Sequence, residues 1–91
     1  MLKLILERPA FDFLVQTNRR DVGLIAMKIF ALTTEPRPSG SITLADSDGA
    51  LRIRAGDYRF IYKVEDEIVR VLLVGPRHDD EVYKTFRRLF S

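Results

Sequence analysis

The stretch LRIRAGDYRFIYKVEDEIVRVLLV, residues 51–74, decides the fold. It holds three runs rich in β-branched and aromatic residues, which are the residues that favour strands. These runs are Leu51–Ala55, Tyr58–Val64 and Ile68–Val74. Gly56-Asp57 separates the first two runs and suits a two-residue hairpin with glycine first, while Asp66-Glu67 provides a second turn. The sequence therefore predicts a three-stranded antiparallel meander.

The segments on either side of the meander predict a strand and three helices. Leu2–Leu6 alternates as a first strand, and Pro9 suits the start of a helix. Val22–Leu32 is apolar nearly all round, so we expect a second helix buried against the sheet, with Asp21 as its cap. Residues 80–90 form an amphipathic terminal helix. This order predicts an α+β fold, in which an N-terminal strand and two helices pack on a twisted antiparallel sheet that also carries a C-terminal helix.

The composition is that of one globular domain over residues 1–91. It is 46% hydrophobic and 31% charged, with a net charge of +2. The absence of cysteine excludes thiolate chemistry, and a single histidine argues against a metal enzyme, so we expect no metal and no cofactor. Asp79-Asp80-Glu81 suits a helix N-terminus better than a metal site. The apolar start is interrupted at once by Lys3, which indicates a cytoplasmic protein without a membrane span.

Alternation along the three strands sorts their side chains onto two faces. The face that we expect to form the core carries Leu51, Ile53, Ala55, Tyr58, Phe60, Tyr62, Val64, Val69, Val71 and Leu73. The other face carries no carboxylate in this prediction and consists of Arg52, Arg54, Arg59, Ile61, Lys63, Arg70, Leu72 and Val74.

Two pairs of like charges oppose each other on the basic face. Arg54 lies across from Arg59, and Lys63 across from Arg70. Each such pair destabilises a sheet by about 0.2–1 kcal/mol. Any one of these side chains would be unremarkable in solvent, but two opposed pairs favour a site for an anion.

Three residues after the meander extend this candidate site. Arg77 follows the third strand directly, and His78 comes next. Tyr83 lies on the terminal helix beside its apolar stripe. A lone tyrosine there would more often serve packing, but beside arginines a phenol can stack on a base or donate to a phosphate.

Two motifs resemble the RelE/ParE superfamily of bacterial and archaeal toxins. RIRAGDYRFIYK, residues 52–63, resembles the superfamily core, and VGPRHDDEVY, residues 74–83, resembles the ending typical of RelE itself. The resemblance implies a type II toxin that enters the ribosomal A site and cuts mRNA without a metal. In RelE-type toxins the ribose 2′-OH attacks the adjacent phosphate. The implied partners are the ribosome, mRNA and a cognate RelB-like antitoxin that covers the basic face and the terminal helix.

The resemblance implies catalytic roles for five residues. Arg52 and Arg54 match two basic residues of the catalytic strand, and Arg59 matches the arginine of the next strand. Arg77 matches the arginine after the last strand, and Tyr83 matches the tyrosine of the terminal helix.

Two departures from the RelE pattern affect the chemistry. RelE is described with lysines at the first two basic positions, whereas arginine is a poor base. Either the 2′-OH proton goes to His78, Tyr83 or ribosomal RNA, or catalysis consists mainly of charge stabilisation and in-line positioning. RelE-like chains often have a basic residue where this chain has Leu44-Ala45-Asp46. Lys63 and Arg70, lower on the basic face, are expected to bind RNA or the ribosome.

Two alternatives share this fold. A ParE-like toxin would inhibit DNA gyrase, and an inactive toxin-fold module would only bind its partner. Arg77 and Tyr83 at the expected spacing favour the nuclease over the ParE-like toxin, whereas the binding module stays open because the basic face also suits an acidic peptide.

Overall fold

The computed structural model describes residues 1–78 and 80–90, in which five strands and three helices form. The elements in chain order are β1 (Lys3–Leu6), α1 (Arg8–Val15), α2 (Arg19–Ala31), β2 (Ile42–Thr43), β3 (Leu51–Ala55), β4 (Tyr58–Glu65), β5 (Ile68–Pro76) and α3 (Glu81–Phe90). The predicted α+β order is confirmed, and a short strand, β2, is added between the second helix and the meander.

The sheet is mixed, with strand order β1-β5-β4-β3-β2. The meander is antiparallel, as predicted, but β1 runs parallel to β5, with Lys3 opposite Ile68. The fold class is confirmed, but the sheet predicted as antiparallel is mixed, because β1 joins it as a parallel edge strand. Parallel neighbours need a long crossover. Here the chain between β1 and β5 includes α1, α2 and the other strands, and alternation in Leu2–Leu6 predicts a strand without specifying its neighbour.

Both predicted hairpin registers are confirmed. Ala55 pairs with Tyr58 across the first turn, and Glu65 pairs with Ile68 across the second. The first residue of each turn has a positive φ, +62° at Gly56 and +54° at Asp66. Glycine adopts this conformation freely, and aspartate tolerates it better than most residues.

A β-bulge at Ile61/Tyr62 divides the apolar residues of β5 between the two faces of the sheet. Phe60, Tyr62 and Val71 lie in the main core, as predicted. Leu73 was predicted there too, but it packs beneath α3, while Val74 occupies the main core instead. The extra residue on β5 reverses the alternation beyond it, and neither motif signals the bulge.

Helices cover both faces of the sheet. α1 and α2 pack on the main core through Ala10, Ile25 and Ile29, and α3 packs on the opposite face through Val82 and Phe86. The C-terminal helix therefore lies on the same face as the arginines of β3 and β4.

α2 packs against the sheet, as predicted, but it is buried along one stripe only, although it is apolar nearly all round. Ile25 and Ile29 are its buried residues, whereas Leu24, Met27 and Phe30 are 55%, 73% and 61% exposed. A helix that lies on one sheet buries a single stripe, and the structure offers no second layer above it. The cap is also one turn earlier than predicted, because the side chain of Asn18 accepts a hydrogen bond from the backbone N–H of Asp21 at 2.9 Å.

Candidate active site

The arginines of β3 and β4 line the face that also carries α3. Arg54 lies opposite Arg59, as predicted, and Arg52 lies opposite Ile61. The Nε atoms of Arg52 and Arg59 are buried and have no hydrogen-bond partner among the described residues. A buried donor left without an acceptor costs about 1–3 kcal/mol. The two strands therefore hold two guanidinium groups whose Nε–H donors are unsatisfied.

Tyr83 meets Arg59 on this face. The guanidinium carbon of Arg59 lies 5.0 Å from the centroid of the Tyr83 ring, within cation–π range. Gly75, which pairs with Arg59, favours this contact, because a Cβ built on it would lie a tight 3.2 Å from the Cβ of Val82. The missing side chain lets α3 approach β5 closely and places Tyr83 beside the arginine.

Arg77 lies at the same end of the sheet. Its backbone N–H donates to the carbonyl oxygen of Asp57 at 3.0 Å, and its Nε lies 3.8 Å from the Asp57 carboxylate. The turn between β3 and β4 thereby fixes the position of Arg77, which follows β5. The Arg77 side chain is 41% exposed, and His78 lies next to it on the surface. Asp79, predicted at the start of the terminal helix, lies outside the described residues, and the helix begins at Glu81.

Carboxylates pair with the cations at the opposite end of the basic face. Lys63 and Arg70 oppose each other as predicted. Arg70 donates to Glu65 and Glu7, both at 2.9 Å, and these hydrogen bonds, that with Glu65 above all, raise the pKa of Arg70. Lys63 Nζ lies 3.7 Å from the Asp48 carboxylate. The expectation of a face free of carboxylates is wrong at this end, because Glu65 lies two residues after Lys63 on β4 and therefore on the same face of the sheet.

On the basic face of β3, β4 and β5, the arginines without a counter-ion therefore lie away from the Lys63–Arg70 end. Within residues 1–78 and 80–90, Arg52, Arg54 and Arg59 form no salt bridge. The five predicted catalytic residues are Arg52, Arg54, Arg59, Arg77 and Tyr83. The structure brings Arg59 and Tyr83 into contact and places the other three on the neighbouring strand or at the same end of the sheet.

A hydrogen bond that sequence reasoning missed connects α2 to the start of β4. The Tyr58 hydroxyl donates to the Asp21 carboxylate at 2.6 Å. This bond, followed by one from Asn18, lowers the pKa of Asp21, and the same bond to Asp21 raises the pKa of Tyr58. The residue before Arg59 is thus anchored to the N-terminal end of α2. The partners are 37 residues apart, and neither motif connects them.

In the part of the chain that the structure describes, no three His, Asp or Glu side chains come together as a metal site would require. No helix among those residues combines the length and the apolar character needed to cross a bilayer.

Solved toxin structures are similar to this one. A chain of the archaeal RelE–RelB complex from Pyrococcus horikoshii OT3 superposes with a TM-score of 0.74 at 24% identity, covering 85% of this chain and 96% of that chain. The isolated RelE toxin of E. coli gives 0.73 at 22% identity, covering 97% of each chain. The YoeB/ParE toxin from Agrobacterium tumefaciens gives 0.71 at 21% identity, covering 85% of this chain and all of that chain.

The fold is therefore that of the RelE/ParE toxins, which confirms the fold implied by the two sequence motifs. No protein-family model matches the chain, and no curated protein sequence matches it significantly.

Proposed function

We propose that this protein is the toxin of a type II toxin–antitoxin system and cuts mRNA in the ribosomal A site without a metal. The observation that carries the proposal is the pair of buried, unpartnered Nε donors on Arg52 and Arg59, beside a tyrosine in contact with Arg59. Buried donors without acceptors are rare in folded proteins, and a catalytic role is one of the explanations for them. The similarity to RelE structures supports the same assignment.

The proposed reaction is an in-line transfer within the RNA. The 2′-oxygen bonds to the adjacent phosphorus as the bond to the 5′-oxygen breaks. The departing 5′-oxygen takes up a proton, so the products are a 2′,3′-cyclic phosphate and a 5′-OH. As the pentavalent phosphorus gains negative charge, the guanidinium groups of Arg52, Arg59 and Arg77 bind its oxygens in pairs. They stabilise the transition state more than the substrate.

The proton of the 2′-OH needs an acceptor other than arginine, which stays protonated in proteins. The candidates are His78, Tyr83 and the ribosomal RNA. A neutral imidazole has a ring nitrogen that can accept a proton, and His78 lies next to Arg77 on the surface. Tyr83 also has the position to stack on a base or to donate to the phosphate.

The proposed partners are an antitoxin, the ribosome and mRNA, and the ribosome places the protein in the cytoplasm. The P. horikoshii and E. coli neighbours include complexes of RelE with RelB. We expect a RelB-like antitoxin with acidic and apolar residues to cover the basic face and α3, where Leu89 is half exposed. Lys63 is proposed to contact RNA or the ribosome. Arg70, predicted for the same role, already pairs with two carboxylates.

In vitro translation followed by primer extension tests this function. We expect new mRNA 5′ ends inside the A-site codon, dependent on ribosomes and absent with Tyr83→Phe. A gyrase supercoiling assay run in parallel identifies a ParE-like activity. Inhibition of gyrase without mRNA cleavage would replace the proposal, and inactivity in both assays would leave a toxin-fold binding module.

A further inference from the structure

Tyr58, the first residue of β4, lies between two residues that hold arginines of the candidate active site. Asp57 precedes it, and the carbonyl oxygen of Asp57 accepts the backbone N–H of Arg77 at 3.0 Å. Arg59 follows it, and the guanidinium of Arg59 contacts the ring of Tyr83. A displacement of Tyr58 would therefore displace Arg59 directly and Arg77 through Asp57.

The side chain of Tyr58 lies on the face of the sheet opposite these arginines. It packs against the main core, which α1 and α2 cover. The ring of Phe13 meets it edge-on, with the ring centroids 6.0 Å apart and the ring planes at 76°. The Tyr58 hydroxyl donates a hydrogen bond to the Asp21 carboxylate at 2.6 Å. Successive residues of a strand point to opposite faces, so this bond holds β4 from behind Arg59.

Asp21 is itself fixed by the cap of α2. The side chain of Asn18 accepts from the backbone N–H of Asp21 at 2.9 Å and donates to its Oδ2 at 2.9 Å. Oδ2 is also the oxygen that accepts from Tyr58. The bond with Tyr58, followed by that with Asn18, keeps the pKa of Asp21 below its ordinary value, so the carboxylate is ionised at neutral pH and its hydrogen bonds are charge-assisted. The first turn of α2 thus gives Tyr58 a strong acceptor in a fixed place.

The proposed reaction needs a backbone that is fixed in this way. Guanidinium groups stabilise a transition state only if they lie where its charge develops, and catalytic groups have to be held within about 0.5 Å of that geometry. Arg59 and Arg77 have long side chains, and that of Arg77 is partly exposed. Their backbone positions therefore have to be set by neighbouring contacts, because a misplacement of about 1 Å can cost roughly 10²-fold in rate.

We propose that Tyr58 is a positioning residue of the nuclease: its hydrogen bond with Asp21 fixes the start of β4, and with it Arg59 and Arg77, in the geometry that the transition state requires. This inference rests on the proposed function. Tyr58 takes no part in the chemistry itself, because it lies on the other face of the sheet and its hydroxyl is already bonded to Asp21. Loss of the bond should slow the chemical step and leave ribosome binding unchanged.

Single-turnover cleavage on programmed ribosomes at saturating protein compares two tyrosine variants. Tyr58→Phe keeps the ring but removes the hydroxyl, and we expect the rate constant to fall about 10–100-fold. Tyr62→Phe is the matched control, because the Tyr62 hydroxyl donates to the carbonyl oxygen of Pro36 at 2.8 Å and lies about 14 Å further along β4. It loses a comparable hydrogen bond and should cut within about twofold of the wild-type rate. The protein concentration for half-maximal cleavage should stay within about twofold in both variants.

Variants of Asp21 distinguish positioning from a loss of folded protein. Asp21→Ala removes the acceptor and should lower the rate constant as much as Tyr58→Phe, with no further loss in the double variant, because both remove the same bond. Additive losses would overturn the inference. Asp21→Asn retains one oxygen, which can accept from both Tyr58 and Asn18, and should keep the rate within about threefold. Partial unfolding would only lower the concentration of active protein, which saturating protein compensates, so the rate constant would not change.

Two-dimensional NMR gives a readout that does not need activity. The Nε–Hε cross-peak of Arg59 and the backbone N–H cross-peak of Arg77 should move in Tyr58→Phe and in Asp21→Ala, and stay in place in Tyr62→Phe. The inference is overturned if neither cross-peak moves in Tyr58→Phe, or if this variant cuts mRNA at the wild-type rate. If the wild type cuts no mRNA, the proposed function fails, while moved cross-peaks would still support the positioning role of Tyr58.

Discussion

Replacing Arg59 by methionine should separate stability from activity. Removing a buried Nε–H that lacks an acceptor stabilises the fold by about 1–3 kcal/mol. Removing the repulsion from Arg54 adds about 0.2–1 kcal/mol, and losing the cation–π contact with Tyr83 costs about 0.5–2 kcal/mol. Methionine keeps an unbranched stem, so we expect Arg59→Met to be about 1 kcal/mol more stable than the wild type. Cleavage should nevertheless fall roughly 10²–10³-fold, because a transition-state donor is lost.

Urea unfolding followed by far-UV circular dichroism measures the first effect, and single-turnover cleavage on programmed ribosomes measures the second. Arg19→Met is the control, because Arg19 is exposed on α2, across the sheet from the site, and should change neither quantity much. A variant destabilised by more than about 2 kcal/mol would refute the reasoning, because mutations of that size reflect loss of a structural interaction. Undiminished cleavage would remove Arg59 from the site.

Three further variants test the fold. Phe60→Ala should lower the free energy of unfolding by about 3–5 kcal/mol, because Phe60 is fully buried. Thermal melting measures this loss, and a loss under about 1 kcal/mol would contradict the assignment of Phe60 to the core. Folding lowers the pKa of Asp21 below the value of about 3.9 that it has in the unfolded chain. Its hydrogen bond with Tyr58 therefore stabilises the fold above about pH 3.9, and this stabilisation is lost as the pH falls through the lowered pKa. Tyr58→Phe should flatten this acid dependence in urea titrations at several pH values. Arg70→Ala leaves Glu7 without its partner, so we expect the free energy of unfolding to fall by more than the free energy of ribosome binding. A larger loss of ribosome binding would show that Arg70 contacts RNA.

The meander could be predicted from sequence because its turns allow few registers. Two-residue connections at Gly56-Asp57 and Asp66-Glu67 determine the pairing next to each turn, and alternation then determines the faces. The bulge beyond Ile61 has no such signal, so Leu73 and Val74 were placed on the wrong faces. For α2, apolar residues on nearly all sides predicted a helix buried against the sheet. How many of its sides are buried depends on the layers that surround the helix, and local periodicity carries no information about those layers.

The sequence predicted which residues form the candidate site, but not which residues surround them and pair with them. The motifs identified the arginines and Tyr83, and the structure places them near one end of the sheet; their roles in catalysis stay a prediction. Ion pairs make the Lys63–Arg70 end of the basic face different from the other end, and the one between Arg70 and Glu7 joins residues far apart in the chain. Arg70 and Glu7 are 63 positions apart, and no pattern in either segment indicates that they pair. The close approach at Gly75 likewise depends on where α3 packs.

Single-turnover cleavage on programmed ribosomes at saturating protein tests most directly whether the active centre lies at the Arg59–Tyr83 end of the sheet. Arg77→Ala and Tyr83→Phe should each slow the chemical step by about 10²–10³-fold, with the fold and antitoxin binding retained. Lys63→Ala, at the other end, should leave that step within about twofold and instead weaken ribosome association and its salt dependence. If Lys63→Ala slowed the chemical step as much as Arg77→Ala, the active centre would lie elsewhere on the basic face and the account would be wrong.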